Sequence, residues 1–333
     1  MKLEQSERLF VEELFEQSVK KKGDLGELKD VIRLTGDAST RRYYRIETSK
    51  KSYVICIDGP SDKDCDFDQM QCLLEEHGVR VPMIHDKRNE FGYLLEEDLG
   101  DVTLLSKLAG IDKEEEFVLY KKAIEELVKI HSIDIELNAP FRERYFDFDK
   151  LNQETNMTHN YFVLQYLKNT NEQDQVTVKE EFEKINSYLE QGKQVVCHRD
   201  YHSRNLMLKG NEMIVIDFQD ARIGLPQYDL VSLLEDCYYK INEDNKAKLI
   251  RLYIDRMNFS EDDLEEFYRA YDYSALQRIY KAIGSFCYIN FERKDSRYLK
   301  YVGYSFEGMK TILQRRPELN DLYISLSKIY YES

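Results

Sequence analysis

The sequence predicts an α+β protein of two lobes: a small β-rich amino-terminal lobe, residues 1–98, and a larger, mainly helical carboxy-terminal lobe, residues 99–333. Three observations carry this. Between about 31 and 96 the apolar residues come in strand-like bursts. From about 103 onward they recur every three or four residues, as on helices with one buried face. The helical pattern is interrupted by one pair of short apolar runs that bracket a polar stretch, CHRDYHSRNLML, residues 197–208.

In the first lobe, DVIRL, RYYRIET, SYVICID and GYLLEE read as strands, with FDQMQCLLEEHG as a helix before the last of them. The lobe is therefore a small sheet with one helix. In the second, EEEFVLYKKAIEELVKIHS, VKEEFEKINSYLEQ, PQYDLVSLLEDCYYKI and SEDDLEEFYRAYDYSALQRIYKAIGSFCYINF read as amphipathic helices. The join is the turn after LLEEDLGD, and two lobes meeting at such a turn enclose a cleft, where ligands bind by preference.

At 333 residues, 42% of them hydrophobic, the chain can fill a sizeable core without staples. A net charge of −15 has the wrong sign for DNA, RNA or an anionic bilayer, so no nucleic-acid or membrane partner is expected. Cys56, Cys65, Cys72, Cys197, Cys237 and Cys287 show neither a C-x-x-C pair nor regular spacing with histidine, as reduced thiols do. The acidic, amphipathic amino terminus lacks the apolar stretch of a signal peptide, and no later run approaches a membrane span. The expected location is cytoplasmic.

Phosphoryl transfer from ATP needs a carboxylate to orient the acceptor hydroxyl and oxygen ligands to hold magnesium on the phosphates. Asp200, Asn205 and Asp217 supply that set. His198-Arg199-Asp200 followed by Asn205 has the H-R-D-x-x-x-x-N spacing of a kinase catalytic loop, and MIVIDFQD ends a buried strand on Asp217-Phe218, where a kinase carries its metal-binding aspartate. Three elements in order at the right separations outweigh the reading of Asp200, Asn205 and Asp217 as caps of turns and strand ends.

Together TGDASTRRYYRI, EEDLGD, CHRDYHSRNLM, VIDFQDARIGLPQYDLVSLLEDCY and ALQRIYKAIG resemble the aminoglycoside phosphotransferase-like superfamily, spanning about residues 35–290. Within it they resemble the bacterial N-acetylmuramate/N-acetylglucosamine anomeric kinases of cell-wall recycling. The resemblance implies a protein-kinase-like fold, ATP with Mg2+, and an amino sugar phosphorylated on its anomeric hydroxyl. It makes Asp200 the acceptor-orienting carboxylate, Asn205 and Asp217 the metal ligands, and His198 and Asp229 structural, although Asp229 reads equally as a helix N-cap. It places Gly36, Ser39, Thr40, Arg41, Arg45, Glu96 and Asp98 with the nucleotide. His202, Arg204, Glu154, Asp236 and Gln277 fall beside the acceptor. Arg204 reads equally as a solvated loop arginine, and Glu154, Asp236 and Gln277 equally as helix-packing residues.

The small lobe departs from the kinase pattern. KSYVICIDGP puts Cys56 and Asp58 where a V-A-I-K strand would carry its phosphate-binding lysine, and Gly36 is the only glycine in TGDASTRRYYRI. Arg41, Arg42 and Arg45 are the nearest replacement charges; Arg41 and Arg45 share a strand face with Tyr43 and could both point into the cleft, with solvent exposure as the alternative for each. The competing functions are a kinase of an aminoglycoside or another small alcohol, which suits an acidic protein, and a nucleotide-binding pseudokinase, which the missing lysine favours.

Overall fold

The computed structural model describes residues 4–34, 41–58 and 66–332. Helix α1 (Gln5–Lys22) precedes the strands β1 (Leu28–Leu34), β2 (Arg42–Thr48) and β3 (Ser52–Ile57). Helix α2 (Asp66–Glu76) then leads to β4 (Ile84–Arg88) and β5 (Tyr93–Glu97). The five strands form one antiparallel sheet in the order β1-β2-β3-β5-β4. Because side chains alternate across a sheet, Tyr44 and Ile46 of β2 share a face with Tyr53 and Ile55 of β3. That face buries Val11, Leu14 and Phe15 of α1 and forms a small core of its own. The amino-terminal helix and β4 enlarge the lobe beyond the four strands and one helix that the sequence predicts.

The chain leaves the sheet at Glu97 and enters the helical lobe through α3 (Leu104–Lys107) and α4 (Lys113–His131). Next come α5 (Phe148–Thr158), a π-helical continuation (His159–Tyr166) and α6 (Glu172–Leu189). The short strands β6 (Val195–Cys197), β7 (Leu206–Lys209), β8 (Glu212–Val215) and β9 (Arg222–Gly224) follow. The chain ends with α7 (Gln227–Leu234), α8 (Glu243–Arg256), α9 (Leu264–Arg293), α10 (Val302–Gln314) and α11 (Asn320–Tyr331). Helix starts are set by short polar side chains: Asp112, Asp147 and Asn171 each accept a hydrogen bond from a backbone amide of the first turn of α4, α5 and α6.

Two departures from the sequence reading matter to the site. The stretch PQYDLVSLLEDCYYKI is helical only to Leu234, after which the backbone turns and directs Asp236 elsewhere. Helix α9, by contrast, runs unbroken for 30 residues through the centre of the lobe, packing on α5, α7 and α10. Gly284 makes the α5 contact possible, because a Cβ there would lie 2.6 Å from the Cα of Thr158. No helix of the described residues is long and apolar enough to cross a membrane.

Candidate active site

The opening motif folds as two antiparallel pairs. β6 pairs with β9, Val196 opposite Ile223, and β7 pairs with β8, Met207 opposite Ile214. The loop 198–205 thus leaves one pair and enters the other, and the segment 216–221 makes the return journey beside it. This crossing is what brings Asp200, Asn205 and Asp217 together. The Asn205 side-chain amide donates to the backbone carbonyl of Asp200 at 3.0 Å and approaches Asp217 Oδ2 at 3.4 Å. His198 Nε2 donates to the carbonyl of Ile216 at 3.0 Å, fastening the two segments one residue before Asp217. Phe218, buried, stacks on Phe67 of α2 with centroids 4.8 Å apart, so the small lobe's helix is packed directly on the residue after Asp217.

Two residues here have left-handed backbones without being glycine, Arg199 with φ 83° and Asp217 with φ 66°. Such conformations cost on the order of 1–3 kcal/mol and need surrounding structure to hold them. Asp229 supplies it for the loop: its carboxylate accepts the backbone amides of His198 at 2.5 Å and Arg199 at 2.9 Å. Asp229 therefore serves the loop and not the end of its own helix. Behind it, His131 Nε2 lies 3.2 Å from Asp229 and His131 Nδ1 2.6 Å from the Tyr253 hydroxyl, while the Cys197 thiol donates to the carbonyl of Leu225. His131, Cys197 and Asp229 are close enough to suggest a metal cluster, but each is committed to the protein and the group is a buried brace.

Asp236, read from the sequence as an acceptor-side or packing residue, lies under the loop. It is buried, its Oδ2 accepts from the amide of Ser203 at 3.0 Å and the hydroxyl of Ser203 at 2.5 Å, and its Oδ1 accepts from the amide of Tyr238. Glu154 and Gln277 are brought together and buried, the Gln277 amide donating to Glu154 Oε2 at 3.2 Å. Arg199 extends the group, lying 3.8 Å from Glu154 and 3.2 Å from Asp220. The His202 ring meets the edge of Tyr238, and burial lowers its pKa to about 3, so it carries no charge at neutral pH. Arg204 stacks between Tyr238 and Tyr298, 4.9 and 5.4 Å from the ring centres, on the wall of a cavity of about 410 Å3 that Thr103, Ser106 and Tyr301 also line.

One charge at the site escaped the sequence reading. Lys281 of α9 lies 3.1 Å from Asp200 Oδ1, with its side chain only 13% exposed. Burial alone would raise the Asp200 carboxyl, but the ammonium of Lys281, with Arg199 next, outweighs it and holds the group well below the usual carboxylate range. The signal was in the sequence. Gln277, Arg278 and Lys281 are polar residues spaced one and three apart in ALQRIYKAIG, which puts all three on one face of an otherwise apolar stretch of the helix.

In the small lobe the two candidate arginines separate. Arg45 is held by two carboxylates, Asp98 at 2.8 and 3.1 Å and Asp101 at 2.9 and 3.1 Å, at the connection between the lobes. Arg41 pairs with Asp58 at 2.9 Å, in the neighbourhood where the sequence lacks its lysine, and feels the half-buried Tyr43 and the buried Cys56. Glu96 is buried beside them, and that burial raises its pKa to about 7 against the pull of Arg41. Gly36, Ser39 and Thr40 lie outside the described residues.

A family model described as the phosphotransferase enzyme family matches residues 30–271, which include every residue of the loop 198–205 and of the segment 216–221. The chain belongs to the phosphotransferase enzyme family. It is 31% identical over 300 residues to the N-acetylmuramate/N-acetylglucosamine kinase of Pseudomonas aeruginosa, covering 88% of this chain and 86% of that protein. The protein of the same name from Neisseria meningitidis is 29% identical over 309 residues, 90% of each chain. Among solved structures, spectinomycin phosphotransferase in complex with ADP and spectinomycin superposes with a TM-score of 0.61 at 16% identity, covering 95% of this chain and 97% of that one. An ADP-bound aminoglycoside phosphotransferase gives 0.56 at 19% identity, covering 90% and 98%. The fold of this phosphotransferase is thus the two-lobed, kinase-like one, with a β-sheet lobe and a mostly helical lobe.

The donor set at its loop fits a hard cation. Asp217, exposed and steadied by the Gln219 amide at 2.9 Å, offers carboxylate oxygen, and the adjoining Asn205 offers carboxamide oxygen. Magnesium prefers such oxygen ligands and usually completes its shell with water and substrate phosphate.

Proposed function

We propose that the protein transfers the γ-phosphoryl group of ATP to the anomeric hydroxyl of an amino sugar, N-acetylmuramate or N-acetylglucosamine. The observation that carries this reading is the convergence of Asp200, Asn205 and Asp217 in one hydrogen-bonded arrangement, in a chain about 30% identical along most of its length to kinases of that name. Asn205 and Asp217 hold Mg2+, which supplies charge neutralisation on the nucleotide phosphates. Asp200 accepts a hydrogen bond from the acceptor hydroxyl and steers its oxygen toward phosphorus. Its low basicity suits orientation better than early proton abstraction. Asp229, His198 and Asp236 position the loop from beneath, and Arg41 faces the nucleotide from the small lobe. The sugar occupies the side bounded by His202, Arg204 and the Glu154–Gln277 pair.

The missing small-lobe lysine is the one feature that favours a pseudokinase; against it, Asp200, Asn205 and Asp217 are all present, and a chain released from catalysis has no physical need for that set. Likeness to the aminoglycoside enzymes, at 16–19% identity, supports the fold and no particular acceptor. The reading is tested by coupled ADP release with magnesium and ATP. At least one of the two sugars should stimulate turnover and a chelator should abolish it; rates with both sugars no greater than without sugar contradict the assignment.

A further inference from the structure

A kinase needs positive charge beside the transferred phosphoryl group, and the usual small-lobe lysine is missing here. Arg41, proposed above to face the nucleotide, pairs with Asp58 in the small lobe, and three further described cations around the site have partners of their own. Arg45 is held by Asp98 and Asp101, and Arg199 reaches Asp220 and Glu154. Arg278 is buried and donates to the Ser232 hydroxyl. His202, two residues after Asp200, is neutral. Lys281 alone among the described lysines puts its ammonium on Asp200, and it does so from α9, the most extensively packed helix of the large lobe.

From this geometry we infer that Lys281 is a catalytic residue, its ammonium standing between Asp200 and the phosphoryl group in transfer. The inference rests on the kinase reading above. Lys281 occupies Asp200 Oδ1, while Arg199 Nε stands 4.0 Å from Oδ2, beyond hydrogen-bond distance, so Oδ2 can receive the acceptor hydroxyl at about 2.7 Å. A hydroxyl bound there shares one carboxylate with the ammonium, and the phosphorus it attacks comes up beside both. As the acceptor oxygen forms its bond to the γ-phosphorus, the bond from that phosphorus to the β,γ-bridging oxygen breaks. The hydroxyl proton passes to Asp200 and on to solvent, and ADP departs with the electron pair of the broken bond. Lys281 meets the charge on the non-bridging oxygens of the group in flight, an interaction strengthened by exclusion of water. Lysine suits the place because its compact ammonium has three donors and can keep Asp200 while turning another to phosphate. A helix anchored along its length also presents it without the entropy of ordering a loop.

The test compares wild type with Lys281→Met, which keeps the bulk and removes the charge, and with Lys281→Arg, using ATP and the slowly transferred analogue ATPγS. The assay uses N-acetylglucosamine or, if wild type ignores it, whichever acceptor wild type accepts, and ATP hydrolysis if there is none. A wrong acceptor therefore shows in wild type, and a wrong role for Lys281 only in the variants. Lys281→Met should lose at least about 100-fold in kcat with both KM values within about threefold. Lys281→Arg should recover at least a tenth of the wild-type rate. The ratio of kcat with ATP to kcat with ATPγS should fall at least threefold in the Met variant, because the contact that sulfur disturbs is already gone. Thermal melting confirms that each variant is folded, and Lys281→Gln replaces the Met variant if it is not. A folded, uncharged variant with kcat within threefold of wild type, or with an unchanged ATP/ATPγS ratio, overturns the inference.

Discussion

At the scale of single residues, charge pairing separates side chains that the sequence treats alike. Asp200 carries the acceptor in this account. Asp200→Asn keeps its shape but accepts a hydroxyl proton poorly, so kcat should drop at least about 100-fold while ATP binding persists; titration with nucleotide and steady-state rates check both halves, and near-normal turnover removes Asp200 from the role. Arg41 and Arg45 differ by partners. Arg45 is 16% exposed and serves Asp98, itself 6% exposed, so Arg45→Met strands a nearly buried carboxylate. Losing one partner of a buried pair costs about 3–5 kcal/mol, and the solvent reaching Asp101 brings the expectation here to about 2–3 kcal/mol in denaturant unfolding. Arg41→Met should instead raise the KM for ATP several-fold with little change in sugar KM or stability. Reversed results for the two variants would show that the nucleotide-facing charge has been placed on the wrong arginine.

At the scale of elements, α9 ties the site together, and its contact with α5 is unusually close. Two effects compete in Gly284→Ala. Replacing a helical glycine favours the helix by about 1 kcal/mol, but the new methyl would sit 2.6 Å from the backbone of Thr158, and overpacking against an element that cannot yield costs about 1–3 kcal/mol. Overpacking should win, by up to roughly 2 kcal/mol, because the 2.6 Å contact is with backbone that cannot yield. Because Thr158 lies one turn beyond Glu154, the shift should also loosen the Glu154–Gln277 contact. A thermal melt at or above the wild-type midpoint would mean that the helices are not in this contact. The same element shows what could be read in advance. Its helical period was plain in the sequence, as were the strands flanking the catalytic loop, because periodicity is a local property. That Lys281 meets Asp200, 81 positions earlier, depends on the path of the chain between them. The end of α7 was hidden for a related reason: the apolar period continues past Leu234, but the backbone leaves the helix there and the Asp236 carboxylate holds Ser203.

At the scale of the whole molecule, two lobes are joined by more than a linker. Lys209 of β7 donates to Glu97 at 2.8 Å and to the carbonyl of Asp98 at 2.9 Å. Arg80, just before β4, grips Glu97 at 2.7 Å and Glu212 of β8 at 3.0 Å. With Arg45 on Asp98, these contacts lock the end of β5 to both the sheet and the large lobe, fixing the base of the cleft where the nucleotide is proposed to bind. The two-lobe plan was legible because the hydrophobic period changes along the chain, and the catalytic segment because its chemistry fixes spacing within one short loop. The acceptor was not, since the side proposed for the sugar is built from α5, α9 and the catalytic loop, which converge only in the folded protein. The central claim is therefore met most directly by incubating the protein with ATP, magnesium and a panel of N-acetylmuramate, N-acetylglucosamine and aminoglycosides, and locating the new phosphate by phosphorus–proton correlated NMR. The account predicts an amino sugar 1-phosphate, coupled to the anomeric proton, with no aminoglycoside product; phosphate on any other hydroxyl, or on an aminoglycoside alone, would contradict it.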